Sequence, residues 1–130
     1  MNKSICFSSL FIFLFFLILP SASKAETNCD AYLSWLSSTD AAGYMVYYGT
    51  SSGGPYNCKI DFGNPGEDPE NGRVNAAVTG LSCDETYYLV STAYDAHGSE
   101  SGYSKEVIYK NGTTVEPPLA RKFIIRFLAE

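Results

Sequence analysis

The most reactive side chains of this sequence lie together in one short stretch, Asp95, His97 and Ser99. A serine, a histidine and an acid can form a nucleophilic triad, in which the histidine takes the serine proton and the acid orients the histidine. All three nevertheless lie in one polar, glycine-containing stretch, which predicts a solvated turn without a pocket. We therefore expect no enzyme, and we expect Asp95 and Glu100 to accept hydrogen bonds from loop backbone.

A second group of chemically competent side chains is acidic: Glu67, Asp68 and Glu70. Carboxylate oxygens are ligands that calcium prefers, but these acids lack the ordered ligand spacing of a known calcium loop. They lie in residues 63–73, GNPGEDPENGR, whose prolines and glycines predict a surface loop. A solvated acidic loop explains them better, so we expect no bound metal and no cofactor.

The N-terminal segment, residues 1–25, follows the pattern of a secretory signal peptide. Lys3 is followed by ten uninterrupted apolar residues, 10–19, which are fewer than the roughly 20 that a membrane-spanning helix needs. Pro20 ends this run, and the small residues Ser23 and Ala25 precede the expected cleavage before Glu26. We expect an exported protein, periplasmic or extracellular, with no transmembrane span after cleavage; an uncleaved anchor is the alternative.

The mature chain of 105 residues, 130 minus 25, is long enough for one small domain. It carries 7 Lys and Arg against 14 Asp and Glu, a net charge of −7, which argues against nucleic acid as a partner. Three cysteines remain, Cys29, Cys58 and Cys83, in a compartment that permits disulfides. The simplest arrangement is one bridge and one odd thiol.

Short β-like runs, separated by Gly, Asn, Asp, Ser and Pro, follow one another from residue 30 onward. Residues 31–35, 43–48 and 56–62 alternate in this way, and residues 74–81, 87–94 and 104–110 supply three more runs. A sustained helical period begins only in the last dozen residues. About six strands at this spacing are typical of a β-sandwich.

Several of these runs carry motifs that resemble one family. Trp35, GYMVYYG at 43–49, VTGL at 78–81, Tyr87, AYD at 93–95 and ESGYS at 100–104 resemble a fibronectin type III domain of exported bacterial proteins. The resemblance covers roughly residues 31–109 and implies an all-β, immunoglobulin-like antiparallel sandwich of six to seven strands, with the domain spanning residues 26–116. Because only five mature residues precede Ala31, we expect strand A to be short or missing, which would leave an open sheet edge.

The resemblance also implies roles for single residues. Trp35 would lie in the core, Leu81 would close the corner before the next strand, and the Tyr87 hydroxyl would bond to nearby backbone. The strands holding Tyr47 and Tyr88 would be neighbours, so that outward side chains form a candidate binding patch. Its members are Met45, Tyr47, Tyr88, Val90 and Tyr94. Such tyrosines can stack on sugar rings or pack against a protein, and the alternative is cross-strand pairing that only stabilises the sheet.

The family layout also bears on the cysteines. Where the family usually has a proline this chain has Cys83, and the layout places Cys29 at the same end of the sandwich. The resemblance therefore implies a disulfide between Cys29 and Cys83. A bridge between Cys58 and Cys83 and three unpaired thiols remain as alternatives.

The C-terminal segment, residues 117–130, differs in character from the domain. It begins with two prolines, and LARKFIIRFLAE at 119–130 places apolar residues on one helical face. Residues 119–130 carry three basic residues and one acid, whereas residues 26–116 carry four basic residues and thirteen acids. The candidate contact residues are Phe123, Ile124, Phe127 and Leu128. This tail could bind an anionic membrane surface, dock on this domain or a partner, mediate self-association, add a strand to the open edge, or begin a further domain.

The sequence thus predicts an exported, non-catalytic binding or adhesion module of fibronectin type III type, which recognises a protein or a glycan at the cell envelope. The alternative is a structural spacer or assembly subunit that associates through the open edge and the hydrophobic tail.

Overall fold

The computed structural model describes residues 27–110 and 112–115, and the backbone of the pair Ile5–Cys6. These residues form antiparallel β-strands, and they include no helix. The strands are β1 (Ile5–Cys6), β2 (Asn28–Leu36), β3 (Gly43–Gly49), β4 (Cys58–Gly63), β5 (Arg73–Ser82), β6 (Tyr87–Tyr94), β7 (Val107–Lys110) and β8 (Thr113–Val115). The all-β class predicted from the sequence is confirmed.

Two sheets divide these strands between them. The larger sheet has the order β1-β4-β3-β6-β7-β8, and the smaller one pairs β2 with β5. In the larger sheet β3 and β6 are direct neighbours, as expected, with Tyr47 opposite Val90. In the smaller sheet Trp35 lies opposite Val74, and a β-bulge interrupts the register between Cys29 and Ala31.

Alternation along the strands produces one core between the two sheets. Trp35 of β2, which is 3% exposed, packs edge to face against Tyr44 of β3, with ring centroids 5.4 Å apart. Every second residue of a strand points to the same face, so the apolar parity of each strand is buried. The core side chains come from both sheets: Ala31, Trp35, Tyr44, Val46, Tyr48, Ile60, Val74, Val78, Leu81, Leu89, Ala93 and Tyr109. Two antiparallel layers around one core are the arrangement of a β-sandwich.

One edge of the smaller sheet is open in the described part of the chain. There β2 pairs with β5 alone, and no described strand pairs with its other side. This agrees with the expectation of an open sheet edge at this strand.

The predicted disulfide between Cys29 and Cys83 is present, with 54 residues of sequence separation and a Cα–Cα distance of 5.2 Å. The backbone N–H of Cys83 also donates to the carbonyl of Thr27 at 3.2 Å, which holds the start of β2 against the β5–β6 connection. The rival bridge from Cys58 to Cys83 is therefore excluded. A disulfide fits an oxidising compartment such as that of exported proteins.

The expectation of one odd thiol is wrong for the residues that the structure describes. Cys58 is disulfide-bonded, and no described cysteine is free. The pairing of β1 with β4 places the backbone of Cys6 opposite Cys58. The prediction assigned Cys6 to the removed signal peptide and so left this cysteine out of its count.

Three predicted core and corner residues occupy the expected positions. Trp35 and Leu81 are both buried at 3% exposure. The backbone N–H of Ser82 donates to the Tyr87 hydroxyl at 3.2 Å, so the hydroxyl bonds to nearby backbone as expected. The predicted tail contacts Phe123, Ile124, Phe127 and Leu128, and the signal peptide apart from Ile5–Cys6, lie outside the described residues.

Candidate functional site

The predicted binding patch occupies one face of the larger sheet, the face turned away from the core. The β3–β6 register pairs Met45 with Thr92, Tyr47 with Val90, and Gly43 with Tyr94. Tyr88 lies on the same face, opposite Gly49. The five predicted residues therefore share one face, although their exposure differs.

Val90 is the member that does not contribute to an exposed surface. It is only 4% exposed, and its outward neighbour Thr92 is 1% exposed. The prediction that Val90 belongs to an accessible patch is therefore wrong. The face is partly covered, because Glu100 contacts Thr92 and Tyr103 contacts Tyr47 on it.

Glu100 and Tyr103 belong to the covering segment, residues 100–104, which runs along β6 without forming a regular strand. The backbone N–H of Ser101 donates to the carbonyl of Ala93 at 2.8 Å, and that of Ser104 donates to the carbonyl of Ser91 at 2.9 Å. In return, the two serine hydroxyls accept hydrogen bonds from the backbone N–H groups of Ala93 and Ser91. Ser101 and Ser104 thus fix the backbone on both sides of Tyr103.

Tyr103 lies between two other tyrosine rings on this face. Its centroid is 5.3 Å from that of Tyr47, at an interplanar angle of 64°, and 5.5 Å from that of Tyr56, at 86°. Edge-to-face contacts of this kind are favourable beyond the area they bury. Tyr103 is 59% exposed. We call Tyr47, Tyr56 and Tyr103 the tyrosine cluster.

Glu100 fixes one side of the tyrosine cluster. Its Oε2 accepts hydrogen bonds from the Tyr47 hydroxyl and from the Thr92 hydroxyl, both at 2.7 Å. These bonds join three separate positions, on β3, on β6 and in the covering segment. The Tyr47 ring is therefore held in one orientation, and the hydroxyl of buried Thr92 has a partner.

Glu106 fixes the other side of the cluster. It accepts hydrogen bonds from the Tyr56 hydroxyl at 2.6 Å, from the backbone N–H of Gly53 at 2.7 Å and from the Ser52 hydroxyl at 2.9 Å. One carboxylate thereby ties the loop between β3 and β4 to the start of β7. The position of Tyr56 depends on this attachment.

The protonation states match these hydrogen bonds. Burial, followed by the hydrogen bond to Glu100 and its negative charge, raises the pKa of Tyr47 far above its usual range. The same causes, with Glu106 as the partner, raise the pKa of Tyr56 to about 12. Burial opposes ionisation of Glu106, but the hydrogen bonds from Tyr56, Gly53 and Ser52 outweigh it, so the pKa of Glu106 is lowered. At neutral pH Tyr47 and Tyr56 are therefore protonated and Glu106 is ionised.

Tyr94 has a structural role at one end of this face. Its hydroxyl donates to Oδ1 of Asp61 at 2.9 Å. Its ring lies over Gly43, where a Cβ would be 2.2 Å from the Tyr94 hydroxyl oxygen. A side chain at residue 43 would therefore displace the ring. Burial and the bond to Asp61 raise the pKa of Tyr94.

Sequence reasoning missed Tyr103, Tyr56 and the two carboxylates that orient the cluster. Tyr103 was noted only as part of the ESGYS motif, ahead of the β-like run that begins at residue 104, and Tyr56 was treated only as the start of a strand. One signal in the sequence could have indicated Tyr103. A large aromatic residue among Gly and Ser lies outside an apolar strand pattern, so it has no predicted core position. The pairing of Glu100 with Tyr47, which are 53 residues apart, depends on the tertiary fold.

The residues considered for catalysis form a turn. The Asp95 carboxylate accepts the backbone N–H groups of His97 and Ser99 at 2.8 and 2.9 Å, as expected for a turn-forming acid. The bond from Ser99, the largest cause, and that from His97 lower the pKa of Asp95. The His97 side chain is 90% exposed. The same expectation for Glu100 is wrong, because its carboxylate bonds to Tyr47 and Thr92 instead of to loop backbone.

Comparisons with known proteins add no assignment: no family model matches the chain, and neither the curated proteins nor the solved structures give a significant match. In the part of the chain that the structure describes, no helix has the length and apolar character needed to cross a membrane.

Proposed function

We propose that this protein is an exported, non-catalytic recognition module with a fibronectin type III-like fold, and that it binds a protein or glycan ligand at the cell envelope through the tyrosine cluster. The observation that carries the proposal is Tyr103, a 59% exposed aromatic side chain fixed between two oriented tyrosines. An exposed aromatic ring that is held in place loses little conformational freedom when a ligand packs against it.

The strand positions and two residue environments support the proposed fibronectin type III-like fold. The family motifs at residues 43–49 and 78–81 lie in β3 and β5. Trp35 and the Tyr87 hydroxyl have the environments that the resemblance implies. The pairing of β3 with β6 and of β2 with β5 also agrees with the strand neighbours of such a domain.

The rigidity of the cluster supports recognition over a purely structural role. The Tyr47 and Tyr56 hydroxyls are each bonded to a carboxylate, so little side-chain freedom remains to be lost on binding. Tyrosine is also among the residues that dominate interface energetics. Cross-strand pairing alone would not require Tyr103 to be exposed.

The negative charge near the tyrosine cluster argues against a polyanionic ligand. Glu100 and Glu106 lie beside the cluster, and residues 26–116 carry thirteen acids against four basic residues. A polyanion would be repelled by this surface. The carboxylates can accept hydrogen bonds from sugar hydroxyls or from basic groups of a protein, while the Tyr103 ring supplies apolar contact.

A binding assay with one exchanged ring tests this proposal. Residues 26–130 are applied to an array of envelope polysaccharide fragments and to immobilised envelope proteins, and each probe that binds is remeasured with Tyr103→Ala. We expect the affinity to fall by about tenfold or more, because truncation of a central aromatic anchor typically has an effect of this size. Tyr32→Ala is the matched control, since Tyr32 is 73% exposed on the other sheet.

Two outcomes would count against the cluster as the binding site. Equal affinity for the Tyr103→Ala variant and the wild type would move the site elsewhere. An equal loss with Tyr32→Ala would show that the smaller sheet contributes as much. Absence of binding to every probe, with a stable oligomer in solution, would favour the assembly alternative, for which the open edge of β2 is the supporting observation.

A further inference from the structure

The outer face of the smaller sheet carries a shallow apolar groove beside the open edge. The groove has a volume of about 510 Å³ and is lined by Tyr32, Leu33, Ser34, Asn75, Ala76 and Ala77. Tyr32, at 73%, is the most exposed large hydrophobic side chain of the described residues. The small side chain of Ala77 leaves room above the strands beside Tyr32. At the other end of the groove the Arg73 guanidinium donates to the hydroxyl and the carbonyl of Ser34 at 2.7 and 2.8 Å.

The path of the chain leads toward this groove. The turn between β7 and β8 touches the start of β2, since a Cβ at Gly112 would lie 3.6 Å from Sγ of Cys29. β8 then contacts β2 while it pairs with β7. The described chain therefore ends at Val115 next to the open side of β2.

The strand pairings give the direction in which β8 runs at Val115. β2 and β6 begin at the same end of the molecule, which is marked by the Cys29–Cys83 bridge just before Tyr87. β7 is antiparallel to β6, and β8 is antiparallel to β7. β8 thus runs in the same sense as β2 and reaches Val115 while heading toward the level of Tyr32.

The length and character of the following segment fit the groove. Residues 116–118 contain two prolines and can span about 10 Å, comparable to the thickness of one sandwich layer. The next twelve residues would make a helix of about 18 Å, whose diameter of about 10 Å matches the width of a two-stranded sheet. One face of that helix would be apolar, and its basic residues would complement the acidic domain.

We propose that residues 119–130 dock as an amphipathic helix on the outer face of the β2–β5 sheet of the same molecule, with Phe123, Ile124, Phe127 and Leu128 against the groove at Tyr32 and Ala77. This contact covers the apolar groove and the neighbouring open edge of β2. It leaves the tyrosine cluster, on the opposite sheet, free for ligand.

Hydroxyl-radical footprinting of the full chain tests this docking. Tyr32 is 73% exposed and Tyr103 is 59% exposed among the described residues. Without docking, hydroxyl radicals should therefore modify Tyr32 at least as rapidly as Tyr103. Docking predicts the reverse order, with Tyr32 modified several-fold more slowly than Tyr103. The double variant Phe123→Asp, Phe127→Asp should restore rapid modification of Tyr32 and leave Tyr103 unchanged.

Two further variants make the test specific. Ile125→Asp is the matched control, because residue 125 lies off the apolar face of a helix, and it should leave Tyr32 protected. Ala77→Lys places a charge in the groove from the sheet side and should expose Tyr32 without a change in the tail.

The remaining outcomes overturn the proposal. Rapid modification of Tyr32 in the unaltered chain would show that the tail does not dock on the groove. A tail that binds only a membrane surface would give this result. Loss of protection on dilution would assign the groove to a second copy. A larger effect of Ile125→Asp than of the double variant would indicate strand addition at the edge of β2.

Discussion

At the scale of single residues, the tyrosines of this protein divide by what their hydroxyls contact. The Tyr44 hydroxyl accepts the backbone N–H of Ser38 at 2.8 Å, and the Tyr87 hydroxyl accepts that of Ser82 at 3.2 Å. The buried Tyr109 hydroxyl has no hydrogen-bond partner among the described residues. Burial raises the pKa of Tyr109, which keeps the phenol neutral. The same residue type thus satisfies backbone at two positions and fills space at a third.

This contrast gives a matched pair of substitutions. Tyr87→Phe removes the acceptor of the Ser82 N–H, so we expect a loss of about 1 kcal/mol in the free energy of unfolding. Tyr109→Phe removes a hydroxyl that makes no bond, so we expect no loss or a small gain. Urea denaturation of both variants measures the difference. Equal stability of the Tyr87→Phe variant and the wild type would refute the role of this hydroxyl.

At the scale of elements, two carboxylates connect segments that the sheet hydrogen bonds leave separate. Glu106 attaches the β3–β4 loop to β7, and Glu100 attaches the covering segment to β3 and β6. Of residues 100–104, only Ser104 was predicted to belong to a β-like run. Their position is set by hydrogen bonds to β6, which a pattern of apolar residues does not encode.

The attachment by Glu106 predicts a pH dependence. Burial, followed by the bond to Glu106, raises the pKa of Tyr56 from its ordinary value of 10.0 to about 12, so the stability linked to this shift is present below pH 10 and is lost as the pH rises toward 12. The pKa of Glu106 is lowered, so its contribution is present at neutral pH and is lost as the pH falls below the usual range of glutamate.

Glu106→Gln separates the two causes of the Tyr56 shift. We expect the Tyr56 pKa to fall toward 10.0 without reaching it, because burial, the larger cause, remains. Carbon-13 NMR of Cζ-labelled tyrosine follows this titration residue by residue. Glu85→Gln, an exposed acid in another loop, is the control. An unchanged Tyr56 pKa in the Glu106→Gln variant would contradict the assigned contact.

At the scale of the whole molecule, the two sheets present different surfaces. The larger sheet carries the oriented tyrosine cluster, whereas the smaller sheet has an open edge and an apolar groove. The bridge from Cys29 to Cys83 joins the start of β2 to the β5–β6 connection and so fixes one end of this layer. A module that binds ligand with one face and covers the other with its own tail would act as a monomer.

The proposed export and monomeric state can be checked together. We expect the intact mass of the exported protein to correspond to residues 26–130, and the native mass spectrum to show a monomer at all concentrations tested. A mass that includes residues 1–25, and with them the strand β1 that pairs with β4, would refute cleavage before Glu26. A stable oligomer would favour the assembly alternative over the recognition module.

The sequence by itself determined the β class, the core parity and one disulfide of this protein. A period of two in apolar residues dictates which side of a strand is buried, and Trp35, Val46 and Leu89 follow it. Cys29 and Cys83 were paired through a family resemblance that located both at one end of the sandwich, and the structure confirms that bridge.

Only the tertiary structure decided which outward residues remain accessible. Val90 has outward parity but is buried, whereas Tyr103 has no strand parity and is exposed. Residues 100–104 fold back along β6 and place Glu100 against Thr92 and Tyr103 against Tyr47 on the outer face. Periodicity describes a strand and its two faces, but the covering of a face depends on contacts between residues far apart in the chain.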